Sequence, residues 1–168
     1  MAMMDKHYYL VAQLPTLVFA RAPDITIDSF LAEAAKWLSA RDYAVVSRVD
    51  IQDTRAYPGD PAALRRFKAF EFGLRDELAQ WRRTRGTEQE YRPTGFSLAA
   101  LREGTPLDVE MRLLRWRWDF VDEEEREHHF DLVTVILYFV KLQILRRALG
   151  FEPEAGMRVF KNLCEAEA

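Results

Sequence analysis

The sequence predicts an all-α protein, an irregular bundle of two long helices and several short ones. Three observations carry that reading. Apolar residues recur at three- and four-residue spacing in long stripes, cap-then-proline pairs and glycines punctuate those stripes, and strand-like alternation is scarce. Summed over the chain, these local rules favour helix nearly everywhere.

In order along the chain, the first segment is compact and aromatic (His7-Tyr8-Tyr9-Leu10-Val11-Ala12) and ends at Pro15. Ile27, Phe30, Leu31, Ala34 and Leu38 then fall on one helical face, with Thr26 or Asp28 available as the cap. The stretch 42–49 suits a short helix, although Val45, Val46 and Val49 keep a strand open. Tyr57-Pro58-Gly59-Asp60-Pro61 is a turn in which Asp60 can cap a helix and Pro61 suits its first position. From there Leu64, Phe67, Phe70, Leu74, Leu78 and Trp81 form one stripe that runs to a glycine stop at Gly86. The segment from Gly86 to Gly104 is polar and reads as a connector, with a short helix at 98–101. Thr105-Pro106 opens the second long helix. Met111, Leu114, Trp118 and Val121 make its stripe, and Leu113, Trp116 and Phe120 widen it enough to face apolar surroundings on two sides. After an acidic stretch, Asp122 to Glu127, the most apolar helix spans 130–149 and stops at Gly150, and a short last helix is expected near 156–165. The chain is therefore one helical domain over 1–168, divisible into an N-terminal lobe (1–86), a connector (87–103) and a C-terminal lobe (104–168).

With 49% apolar and 30% charged residues the chain has what a folded core requires. Its 24 basic and 27 acidic residues give a formal charge of −3, so nothing draws it as a whole toward nucleic acid or anionic lipid. The single cysteine, Cys164, suits a reducing compartment and lies too near the end to suggest a nucleophile. No basic-then-apolar leader opens the chain, and the apolar run 132–140 is cut by Lys141 and Gln143, far short of the roughly 20 residues a membrane span needs. The expected location is cytoplasmic, without direct membrane insertion.

Several charged clusters invite a chemical reading. Glu125 and His128 have the Glu-x-x-His spacing of carboxylate-bridged metal bundles. A second such pair is missing, because His7 has no glutamate three residues before it. A solvated acidic connection, with no metal or cofactor, is the better expectation, and a carboxylate and histidine metal protein is the distant alternative. Arg82, Arg83 and Arg85 complement the dipole at the end of their helix or offer a dock to an acidic surface. Arg112, Arg115 and Arg117, interleaved with Trp116 and Trp118, read as core aromatics flanked by arginines whose stems cover them. Asp131 suits a cap. Lys141 either pairs internally or grips a partner, and Arg146 and Arg147, near the end of the same helix, serve its termination and solubility or are further candidate partner-binding residues. Phosphate-cradling glycine loops, Gly-x-Ser-x-Gly turns and paired cysteines are all missing from the sequence. A non-catalytic binding protein is expected.

Two segments also carry a family resemblance. Tyr8-Tyr9-Leu10-Val11-Ala12-Gln13-Leu14-Pro15 resembles the opening of a small bacterial family that accompanies the V/A-type ATPase. Arg117-Trp118-Asp119-Phe120-Val121-Asp122-Glu123, followed by His129-Phe130-Asp131 and the run through Tyr138 and Gln143 to Leu145, resembles that family's second signature. Leu74-Arg75-Asp76-Glu77-Leu78-Ala79-Gln80-Trp81-Arg82 is a weaker, third match. The family resembles a shortened form of the C-type component of that ATPase (d-type in eukaryotes), the helical connector between the central shaft and the membrane ring. The full-length C-type connector has three similar lobes, so this chain departs from it by at least one, and ring contacts do not carry over automatically. The resemblance implies a connector peripheral to the inner membrane, or an assembly factor for the same ATPase, with the shaft and ring components as partners. The four tryptophans and eleven phenylalanines fit a part that must be stiff.

Overall fold

The computed structural model describes residues 6–151, and among them the regular structure is entirely helical. Its elements are α1 (Lys6–Gln13), α2 (Ile27–Trp37), α3 (Ala40–Ser47), α4 (Ala62–Thr84), α5 (Leu98–Arg102), α6 (Pro106–Glu125) and α7 (Leu132–Leu149). The expected last helix and Cys164 lie outside the described residues.

Local chemistry explains most of the boundaries. Thr26 and Ser29 form a reciprocal capping box that opens α2. The stretch left open between helix and strand is helical: the Ser39 hydroxyl accepts the Asp42 N–H at 3.1 Å and starts α3. Thr105 and Asp108 cap α6 reciprocally, with Pro106 at its first position. Gly104 is required there. Its φ is +84°, and a Cβ would stand 2.8 Å from the Asp108 carboxylate that makes the cap.

The start of α4 departs from expectation. Asp60 does not cap it: Pro61 holds the cap position without a side-chain bond, and the helix begins at Ala62. Asp60 is buried instead. It accepts from the Tyr57 N–H at 2.9 Å, from the Lys68 ammonium at 2.7 Å and from Arg48 at 3.1 Å. A carboxylate offered two cations and a backbone donor gains more there than at a helix end.

α7 is the central rod. Val135, Ile136, Leu137, Phe139, Val140, Leu142, Ile144 and Leu145 are all buried, so it is enclosed on nearly every side, by α1, α2, α3, α4 and α6. Phe30 from α2 stacks on Phe139 at 4.9 Å, and Leu10, Phe67 and Trp118 close the same core. A second, smaller core gathers Leu74, Leu78 and Trp81 of α4, Leu101 of α5 and Leu113 of α6. α6 therefore serves both cores, as its wide stripe predicts: Leu114, Trp118 and Val121 face the main one, and Leu113 and Trp116 the other. The segment between Gly86 and Gly104 is more than a polar connector, because Tyr91, Phe96 and Leu98 pack onto the second core.

Candidate functional site

The N-terminal motif and the α6–α7 hairpin meet at one end of the bundle. α1 is anchored by Leu10, which is fully buried, and this leaves Tyr8 and Tyr9 facing outward. Pro15 ends the segment, and its carbonyl accepts the Tyr138 hydroxyl of α7 at 2.8 Å, across 123 positions of sequence. Burial pushes the Tyr138 phenol well above its ordinary pKa, so that hydroxyl stays a donor.

On α6, Trp118, Asp122 and Glu125 follow at four- and three-residue spacing and therefore share one face. Opposite them is Lys141, buried on α7. Its ammonium is 2.5 Å from Asp122, hydrogen-bonds Glu125 and lies 5.1 Å from the Trp118 ring centroid. Burial pushes the Glu125 carboxyl above its usual range; Lys141 pulls it back only in part, and neighbouring Asp122 pushes it further up. Of the two readings of Lys141, the internal pairing is what the structure shows.

The turn between α6 and α7 is tightly specified. Asp131 caps α7 by accepting from the Thr134 N–H at 2.8 Å, and its other oxygen pairs with His128 Nδ1 at 2.8 Å. Burial would raise the Asp131 carboxyl, but the Thr134 N–H, His128 and the Thr134 hydroxyl outweigh it and hold it low. Between these two sits Phe130 at φ +55°, a conformation bulky side chains rarely adopt. Its ring lies 4.8 Å from Tyr8, Tyr8 meets Tyr9 edge-on at 5.9 Å, and Tyr9 stacks on Trp37 at 5.5 Å. Tyr8 is 49% exposed and Phe130 43%, so this aromatic row is open to solvent. Beside it an open pocket of about 370 Å³ lies between Leu14, Pro15 and Leu17 on one side and Glu125, His128 and His129 on the other.

Two expectations about this region are corrected. The acidic run is not a solvated linker, since residues through Glu125 complete α6, Asp122 and Glu125 grip Lys141, and Glu124 accepts a forked bond from Arg66 at 2.9 and 3.0 Å. Glu125 and His128 also do not share a helical face, because α6 ends between them; each has taken another partner. Among the described residues no group of three or more His, Cys, Asp or Glu is placed to hold a metal ion.

The remaining predicted residues are dispersed. Arg82, Arg83 and Arg85 stand at the end of α4, with the Arg85 guanidinium 5.3 Å from the Trp81 ring centroid and all three side chains open to solvent. Arg146 is exposed on the last turn of α7, while Arg147 bonds Glu110 of α6 at 2.8 Å. Asp119 pairs with Arg115 one turn away. Gln143 serves the fold: it accepts from Ile51 N–H at 3.2 Å and donates to the Val49 carbonyl at 2.8 Å, fixing the turn after α3. Arg117 is no surface stem. It makes two bonds to Glu71, at 2.7 and 2.9 Å, in the interior, and Arg75 joins the same carboxylate at 2.6 Å.

Lys68 and Glu71 escape a reading by stripes, although a signal for them exists. They stand four residues after Leu64 and Phe67, on the apolar face of α4, where a charge must be paired to be tolerated. Comparison with family models, curated proteins and solved structures returns no match to this chain.

Proposed function

We propose that this chain is a non-catalytic connector of a bacterial V/A-type ATPase, a short relative of its C-type component, joining the central shaft to the membrane ring while ion flow and ATP turnover are coupled. One observation carries the reading. The two segments that resemble the ATPase-associated family lie at opposite ends of the sequence, yet they build one surface through the Tyr138–Pro15 bond and the Tyr8–Phe130 contact. That surface is an exposed aromatic row held on a backbone position that strains its phenylalanine. Exposed aromatics on a rigid support are what protein interfaces use as anchors. The rest of the molecule suits a part under torque, since α6 and α7 pack as a hairpin through Trp118, Val121 and the apolar body of α7.

No helix among the described residues is long and apolar enough to cross a membrane, so on this reading contact with the ring is made through protein surface. The test is affinity capture of the tagged full chain from its own host, with and without mild detergent. Catalytic and ring proteins of the ATPase recovered in fixed proportion to the chain support a connector. The same proteins recovered only in trace amounts during biogenesis assign it to assembly instead. Capture of neither overturns both roles. Tyr8→Ala, at a half-exposed position away from the main core, is expected to reduce recovery of partners at least severalfold, while loss of its ring contacts with Tyr9 and Phe130 lowers the melting temperature by only a few degrees.

A further inference from the structure

A second cavity, of about 450 Å³, opens between α4, α6 and the 91–96 segment, well within the size range of small-molecule pockets. Its walls are aromatic: Phe70, Tyr91, Phe96 and Trp116, the last two stacked at 4.9 Å. Among the described residues, its ionisable side chains besides Tyr91 are the carboxylates of Asp76 and Glu77, and no lysine, arginine or histidine lines it. Glu77 is held by neutral donors: the Thr94 N–H at 3.0 Å, the Thr94 hydroxyl at 2.5 Å, the Gly95 N–H at 3.1 Å and the Tyr91 hydroxyl. Burial would raise its carboxyl, but these bonds outweigh that and keep it ionised well below neutral pH. Asp76 accepts from the Gln80 amide at 2.7 Å. Among the described residues, no ammonium or guanidinium reaches either carboxylate. The effect of this negative field is felt at Tyr91, whose phenol is raised first by burial and then by the Glu77 and Asp76 charges.

Gly73 adds an independent sign. It sits in the middle of α4, where glycine is a poor helix former, and a Cβ built there meets nothing within 4 Å among the described residues. Among the described residues nothing requires glycine at that place, yet a side chain there would project into the cavity.

We infer that this cavity binds an organic ammonium ion, an alkylated or quaternary amine, with its carbon substituents against the aromatic walls and its charge beside Asp76 and Glu77. Aromatic faces attract such cations, and attract them more strongly out of water. A primary ammonium fits less well. It must replace three hydrogen bonds on leaving water, and the acceptor sites of Glu77 are already taken by Thr94, Gly95 and the Tyr91 hydroxyl. A quaternary ammonium needs none. The inference does not rest on the ATPase reading and stands or falls separately.

The test is calorimetric titration of the full chain with choline and with 3,3-dimethylbutan-1-ol, its uncharged isostere. Choline is expected to bind severalfold more tightly than the isostere, the scale of a cation–π contact in an open pocket. Gly73→Leu fills the cavity with a better helix former, so it is expected to abolish choline binding while its melting temperature stays at or above that of the parent. Asp76→Asn, which keeps the Gln80 bond, is expected to weaken binding severalfold. A trimethyl-lysine peptide run in parallel separates sources: tighter binding than choline assigns the ligand to a methylated protein, weaker binding to a small molecule. Equal binding of choline and the isostere, no choline binding at millimolar concentration, or undiminished binding to Gly73→Leu overturns the assignment.

Discussion

At the scale of single residues, the interior ion pairs decide more than the surface ones. Asp60 and Lys68 are 2% and 5% exposed, so each depends on the other for its charge to be tolerated. Asp60→Asn is expected to cost about 3 kcal/mol, because it leaves the Lys68 ammonium buried beside a weaker acceptor. The pH dependence follows with a definite sign. Burial raises the Asp60 carboxyl, yet Lys68, the Tyr57 N–H and Arg48 hold it below its ordinary value of 3.8. Its contribution to stability is therefore present above that value and lost as the pH falls through the lower folded value. Glu125 acts in the opposite direction. Its folded value lies above the ordinary 4.5, so its contribution is present below 4.5 and lost as the pH rises through the raised value. Urea unfolding at a series of acidic pH values checks both: Asp60→Asn is expected to flatten the acid limb, and Glu125→Gln to remove the loss on the rising side. Part of this was legible, since Lys68 and Glu71 interrupt an apolar stripe. Which charge each would meet was not, because Glu71 and Arg117 are 46 positions apart and pair only once α4 lies on α6.

Among elements, the α6–α7 turn carries the clearest departure from relaxed geometry. Phe130 at φ +55° is held there between an Asp131 cap on one side and the Tyr8 ring on the other. Phe130→Gly removes the Cβ that makes this conformation costly, about 1 kcal/mol, which offsets the lost Tyr8 contact and the glycine's greater freedom when unfolded, so stability is expected to hold. If the aromatic side chain is kept in place for a partner, the same variant loses partners in the capture experiment; thermal melting and capture, measured together, separate the two effects. The strain itself could not be read from the chain, because a bulky aromatic gives no local preference for positive φ. The cap beside it could: Asp131 before an apolar run is a local signal and was expected.

On the scale of the whole molecule, a large core around α7 and a small one beneath α5 share α6 as a common wall. Among the described residues the small core holds five buried ones, Leu74, Leu78, Trp81, Leu101 and Leu113, so little apolar area opposes its local opening. Amide exchange is expected to be distinctly faster in α5 and the 86–104 segment than in α7. Equal protection across both would mean that the two cores open as one unit. Helix positions, most caps and the two-sided face of α6 follow from interactions within four residues along the chain, and the amino-acid order alone determined them. The buried charge pairs, the junction of Pro15 with Tyr138 and the aromatic cavity over Gly73 join residues remote in sequence. Only the docking of helix faces decided these, because a side chain's partner depends on which neighbour is packed against it, and no local rule specifies that.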